Sequence, residues 1–146
     1  MAKKDASSSS IELPEGYKPT TKEPFMNERQ TEYFRRKLQA WKDEILRESK
    51  STLDTLQEDV GSMPDVADRA STETDRSLEL RTRDRQRKLI SKIEQALRRI
   101  EDGTFGYCEE TGEPISLKRL DARPVATLSL EAQERHERSE RVHRDD

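Results

Sequence analysis

Apolar side chains in the first half of the chain recur at intervals of three and four: Phe34, Leu38, Trp41 and Ile45, then, after a polar stretch, Leu53, Leu56 and Val60. This spacing puts them on one face of an α-helix. Asn27 suits the N-cap, and the helix is predicted to end at about Val60. "GSMPDVAD" then breaks the pattern with Gly61 and Pro64. A second stripe, Leu78, Leu80, Leu89, Ile90, Ile93, Leu97 and Ile100, predicts a second long helix closing near Gly103. In an antiparallel pair, facing positions add to a nearly constant number. Phe34 with Ile100, Trp41 with Ile93 and Ile45 with Leu89 give one value, and Leu38 with Leu97 and Leu53 with Leu80 fall one to either side of it. The polar "RESKST" of 47–52 then faces the polar "RTRDRQRK" of 81–88, so the hairpin is lightly joined midway. The turn falls near Ala67, and at ~1.5 Å per residue each arm reaches roughly 50 Å.

The flanks read differently. Residues 1–26 begin with a serine run, prolines and scattered charges without periodicity, which predicts a flexible arm. The expected division is then a hairpin over 27–103 with its tip near 64–70, a small module over 104–128, and a charged C-terminal helix over 129–146. "FGYCEETGEPISLKRLDARPVATLSLEAQ", residues 105–133, has the frame of a small zinc ribbon, yet Cys108 is the only cysteine in the chain.

Hydrophobic residues make up 29% and charged residues 40% of the 146 positions, too little apolar material for a thick core. The fold class expected is therefore dominated by α-helix and elongated. A single cysteine excludes an internal disulfide framework, and no apolar run approaches the roughly 20 residues of a membrane span, so the reading is a soluble cytoplasmic protein. The net charge of -3 is small beside its 28 basic and 31 acidic contributions, so any electrostatic role lies in their distribution.

Two clusters matter on that count. In "MPDVADRAS", Asp65 and Asp68 sit three apart. They can cap a helix start, or deliver negative charge or a metal ligand from the end of the hairpin, and the two roles are compatible. The second helix carries Arg81, Arg83, Arg85, Arg87, Lys88 and Lys92 against the single acid Asp84, either a solvated face or a dock for a polyanion or an acidic protein surface. No aromatics interleave with these cations and no helix-turn-helix is apparent, which argues against sequence-specific DNA reading. His136 and His143 lie in a charged helix, and the chain has neither a glycine-rich phosphate loop nor a nucleophile elbow, so no enzyme is expected.

The "PDVADRA" tip, "DRQRKLISKIEQAL", "GTFGYC" and "RLDARP" together resemble the DksA/TraR family of bacterial RNA polymerase regulators, over about residues 26–140. A hairpin that satisfies its own apolar stripes predicts a monomer, and the lack of a long apolar run predicts no membrane partner. The resemblance implies a factor that binds no DNA. It would enter the polymerase secondary channel and shift open-complex stability with ppGpp as co-effector, repressing ribosomal RNA promoters and activating amino-acid promoters. It also implies that Asp65, Asp68 and Ala70 act near the polymerase active site. Arg81, Arg85, Lys88, Lys92, Arg119 and Arg123 become candidates for polymerase or ppGpp contacts, guanidinium forks being suited to phosphate. A Gre-like transcript cleavage factor and a plain coiled-coil adaptor are the alternatives.

Zinc-bearing members carry two Cys-x-x-Cys pairs, and those four positions read Cys108, Thr111, Ser129 and Ala132 here. One thiolate, two hydroxyls and a methyl do not make a structural zinc site, so no metal is expected; a makeshift set of Cys108, His136 and Glu109 or Glu113 is the alternative. Gly112 would supply the knuckle turn, Ser129 the N-cap of the last helix, and Ala132 that helix's interior. Phe105, Tyr107, Ile115, Leu117, Leu120, Val125, Leu128 and Leu130 would pack a small core in place of chelation, each large side chain contributing roughly 1.5–3 kcal/mol when buried.

Overall fold

The computed structural model describes residues 11–59 and 66–145; the side chains of 52, 55–59, 66–68 and 144–145 are outside that description. Four helices follow one another: α1 (Glu28–Asp59), α2 (Val66–Asp102), α3 (Leu117–Ala122) and α4 (Leu130–Asp145). Among the described residues the β-structure is one isolated bridge, Tyr107 with Pro114. The fold is all-helical, as the hydrophobic spacing predicts. The chain break expected at Gly61 and Pro64, and the predicted end at Val60, lie outside the described residues.

The helix ends follow their sequence signals. Asn27 caps α1 by accepting the Gln30 amide at 2.9 Å, satisfying one of the free N–H groups of the first turn. Gly103, with φ +80°, ends α2 in the left-handed conformation while the Thr104 amide reaches back to the Arg99 carbonyl at 2.9 Å. Ser116 accepts from the Arg119 amide and Ser129 from the Ala132 amide, both at 3.2 Å, starting α3 and α4.

Two compact units make up the chain: Met1–Leu38 with Gln95–Asp146, and Gln39–Glu94. In the second unit α1 and α2 meet through polar contacts as well as apolar ones. Lys42 pairs with Glu94 at 3.0 Å, and Ser49 donates to Gln86 at 2.8 Å, within the polar midsection the sequence predicts. Ile45 and Ile93 are buried there, with Trp41, Leu53, Leu89 and Ile90 half-buried. Leu78 and Leu80, expected on the packed face, are instead about half exposed. Two residues two apart on a helix lie about 200° round from each other, so both cannot share one face. Between 76 and 86 the half-buried positions of α2 are Arg76, Glu79, Thr82, Arg83 and Gln86.

The first unit holds the denser core. Phe34, Leu38, Ala96, Phe105, Ile115, Leu120 and Ala132 are buried in it, Phe34 and Phe105 with ring centroids 5.5 Å apart. Val125 is buried as expected, and Leu117 and Leu128 are half-buried. Tyr107 and Leu130, expected in the core, are exposed at 38% and 58%. Tyr107 turns its ring edge to Phe25, and Leu130, the first residue of α4, lines a surface cavity.

Residues 11–26, whose sequence predicts part of a flexible arm, form turns and lie along α1. Tyr17 packs edge-on to Tyr33 and donates to Glu23 at 2.7 Å, and Arg36 donates to the Ile11 carbonyl at 2.7 Å. Residues 1–10 lie outside the described residues.

Candidate functional site: a tip, a cationic face and a knuckle with one cysteine

Of the tip residues, Asp65 lies outside the described residues and Asp68 is described only as a backbone position in the first turn of α2. Ala70, one turn on, is exposed and borders an open cavity of about 490 Å³ with Thr74, Leu78 and Arg81.

Arg81, Arg85, Lys88 and Lys92 are all exposed, and their steps of four, three and four put them on one face of α2. Lys88 has a carboxylate at 3.4 Å, that of Asp84, and Arg85 touches the Thr82 hydroxyl at 3.4 Å. This stripe is open to an acidic partner. Arg83, by contrast, is half-buried on another face.

Arg119 and Arg123 share a cavity of about 330 Å³ with Ser116, Lys118, Ala122 and Leu130. Its walls combine aliphatic surface with three cations, a lining suited to an anion that also carries an apolar or aromatic part. The two arginines are not equivalent. Arg119 is half-buried and its Nε donates to the Leu128 carbonyl at 2.9 Å, bracing the loop before α4, whereas the Arg123 side chain is exposed. Sequence reading missed Lys118 here, and also what holds α3 in place. Asp121 accepts from Tyr33 Oη and Lys37 Nζ, both at 2.6 Å, and the Lys37 and Tyr33 hydrogen bonds hold its carboxyl below the usual range. Burial and that same Asp121 raise Tyr33 to about 12.

Thr111 and Ser129 reach Cys108 at the knuckle and Ala132 follows in the first turn of α4, but the chemistry of the four does not fit zinc. Ala132 is fully buried and offers a methyl group; the Ser129 hydroxyl is used as the cap of α4; the Thr111 hydroxyl accepts from the Glu113 amide at 3.2 Å. That leaves one thiolate where a structural site needs four N or S ligands. Among the described residues no three His, Cys, Asp or Glu side chains group as a metal site, the set of Cys108, His136 and Glu109 or Glu113 included. His136 instead pairs with Glu110, which also faces Arg135 at 3.6 Å.

The turn uses Gly112 as the sequence predicts. Gly112 takes φ +76° and donates to the Cys108 carbonyl at 2.9 Å, while the Cys108 amide donates to the Glu113 carbonyl at 2.8 Å. Burial pushes the Cys108 thiol up, but hydrogen bonds from the Thr111 hydroxyl and from the amides of Ser129, Thr111 and Glu110 outweigh it and bring it down to about 6. Neutral donors around the sulfur thus favour its thiolate form.

This geometry coincides with two family models: DnaK suppressor protein DksA, N-terminal domain, matches residues 30–100, and the prokaryotic dksA/traR C4-type zinc finger matches residues 103–138. Over 130 residues the chain is 72% identical to the RNA polymerase-binding transcription factor DksA of Caulobacter vibrioides, covering 89% of this chain and 92% of that protein. The chain belongs to the DksA/TraR family. It is also 46% identical over 117 residues to the Escherichia coli K12 factor of the same name, covering 80% of this chain and 78% of that one. Among solved structures it is similar to transcription factor DksA2 from Pseudomonas aeruginosa, with a TM-score of 0.75 and 43% identity over 80% of this chain and 90% of that one. The zinc-finger model matches although three of its four cysteines are replaced here.

Proposed function

We propose that this chain is a non-catalytic regulator of transcription initiation that binds bacterial RNA polymerase through the secondary channel and acts together with ppGpp, without binding DNA. The observation that carries this reading is the 72% identity over nearly the whole length of an RNA polymerase-binding transcription factor. In this reading α1 and α2 form an antiparallel coiled-coil hairpin over 27–103, followed by a zinc-ribbon-like module over 104–128 and a terminal helix over 129–146. The cross-helix contacts of Lys42 with Glu94 and Ser49 with Gln86 support the hairpin.

The roles follow from chemistry. Asp65 and Asp68, with Ala70, bring negative charge to the polymerase active centre at the end of a slim probe. Arg81, Arg85, Lys88 and Lys92 dock the probe on acidic surface, an attraction that steers association and weakens with salt. Phosphates of ppGpp engage Arg123, with Arg119 as the brace that shapes the cavity beside it.

The test is the lifetime of open complexes of the cognate polymerase at a ribosomal RNA promoter. The chain should shorten it, ppGpp should deepen the effect, and Asp68→Asn should remove it without loss of polymerase binding. An unchanged lifetime with the native chain refutes the reading, and release of cleaved transcript from stalled complexes would point to a cleavage factor instead.

A further inference from the structure

The short helix α3 carries an acid among the cations of its own cavity. Lys118, Arg119, Ala122 and Arg123 line that cavity, and Asp121 sits among them in sequence. Asp121 lies three residues beyond Lys118, a helical spacing that sets two side chains about 60° apart around the axis and within pairing reach. A carboxylate so placed would by default neutralise a cation of the cavity. Yet among the described residues none of Lys118, Arg119 and Arg123 is ion-paired.

Asp121 is committed to α1 instead. Its Oδ1 accepts from Tyr33 Oη and from Lys37 Nζ, both at 2.6 Å, and the same Nζ donates to the Asp121 carbonyl at 2.7 Å. That carbonyl is one of the last four of α3, which lack partners within the helix, so a single ammonium both pairs the acid and caps the helix end. Lys37 is in turn steadied by Tyr33, its Nζ standing 5.6 Å from the ring centroid, and that ring packs edge-on against Tyr17 and Phe34. A carboxylate fixed at its side chain and at its own backbone is not free to turn toward Lys118. The consequence is electrostatic. Lys118 and Arg123 are exposed, and Arg119 spends only its Nε on the Leu128 carbonyl, so the cavity keeps its positive charge although an acid is built into the same helix.

We propose that Tyr33 and Lys37 form a charge clamp that draws Asp121 away from Lys118 and Arg123 and so keeps the cavity of α3 open to a phosphate-bearing ligand. Tyr33, Lys37 and Asp121 are then positioning residues for that ligand. The clamp deepens the ppGpp reading of this cavity and rests on it for the identity of the natural ligand.

The test titrates the full chain with inorganic pyrophosphate at fixed ionic strength, without polymerase, and follows the amide resonances of Lys118, Arg119 and Arg123. Tyr33→Phe with Lys37→Met releases Asp121 and should raise the pyrophosphate Kd roughly 3- to 5-fold, the upper part of what an exposed ion pair is worth. Adding Asp121→Asn removes the competing carboxylate and should return the Kd to within about 1.5-fold of native, a rescue that a merely structural role would not give. Lys18, an exposed lysine whose charge also acts on Asp121, is the control. Lys18→Met removes the same charge as Lys37→Met without releasing the acid, and should change the Kd by less than about 1.5-fold. If the double variant does not fold, Lys37→Met alone carries the same prediction at about twofold. The proposal is overturned by the absence of a saturable shift in the native chain, by an unchanged Kd on release, by a Kd that stays raised after Asp121→Asn, or by an equal loss with Lys18→Met. If the pyrophosphate series holds while ppGpp leaves open complexes unaffected, the ppGpp reading fails and the clamp stands.

Discussion

Replacing Gly106 with alanine tests the packing over the knuckle most directly, because a second glycine provides its control. Gly106 has φ +92° and Gly103 has φ +80°, so alanine at either position is held in a left-handed backbone and costs about 1–2 kcal/mol. The surroundings then separate them. The added Cβ at Gly103 meets nothing within 4 Å, whereas at Gly106 it stands 3.2 Å from Met26 Cε and Phe25 Cζ and 3.3 Å from Met26 Cγ. Those contacts are tight enough that both side chains must give way, an overpacking cost of about 1–3 kcal/mol. Gly106→Ala should therefore destabilise the chain by about 2–5 kcal/mol and Gly103→Ala by about 1–2 kcal/mol. Urea unfolding followed by helical circular dichroism and by Trp41 fluorescence measures both. If the two variants have the same midpoint, the Phe25–Met26 contact carries no energy and the reasoning fails.

Cys108 should show the anionic absorbance of a thiolate near 240 nm with a midpoint near pH 6, well below the roughly 8.5 of a free thiol. Its folded value is depressed, so the stabilisation is complete above the unfolded thiol's range and is lost as pH falls through about 6; urea midpoints should fall over that window and Cys108→Ser should flatten the dependence. Tyr33→Phe removes one of the hydrogen bonds that anchor Asp121 and should cost about 0.5–1.5 kcal/mol by urea unfolding, more than the same change at the exposed Tyr107.

The helices were legible because burial recurs with helical period: Phe34, Leu38, Ile45 and Ile93 all sit where the stripes put them. Leu78 and Leu80 were misread because the sequence shows which residues are apolar, while the half-buried positions beside them in α2 are Arg76, Glu79 and Arg83. The segment before α1 left still less trace. Residues 11–27 contain no periodic stripe; they are fixed by a buried glutamine, an asparagine cap and a left-handed methionine, and none of these has a spacing to detect. The residue roles at the old zinc positions were partly legible, since a serine cap and an alanine in a helix interior follow local rules. The donors around Cys108 were not, because they are mostly backbone amides, which every sequence possesses.

Those donors change what the knuckle can respond to. Four thiolates around a zinc ion make a site that can be opened by removing the metal or by joining its cysteines in disulfides. Here the side chains at the three replaced ligand positions serve local ends, and Thr111 and Ser129 also supply donors to Cys108. Thr111 braces the turn through the Glu113 amide, Ser129 caps α4, and Ala132 fills the interior beneath it. The donors to Cys108 are a hydroxyl and three amides, none of which leaves on chelation. With one cysteine in the chain, no internal disulfide can form either. The module has thus exchanged a removable centre for hydrogen bonds and apolar contact, and it retains its shape as long as the surrounding chain remains folded. Its behaviour under metal limitation should follow the stability of the whole first unit, and the Phe25–Met26 pair is the part of that unit packed closest over Gly106.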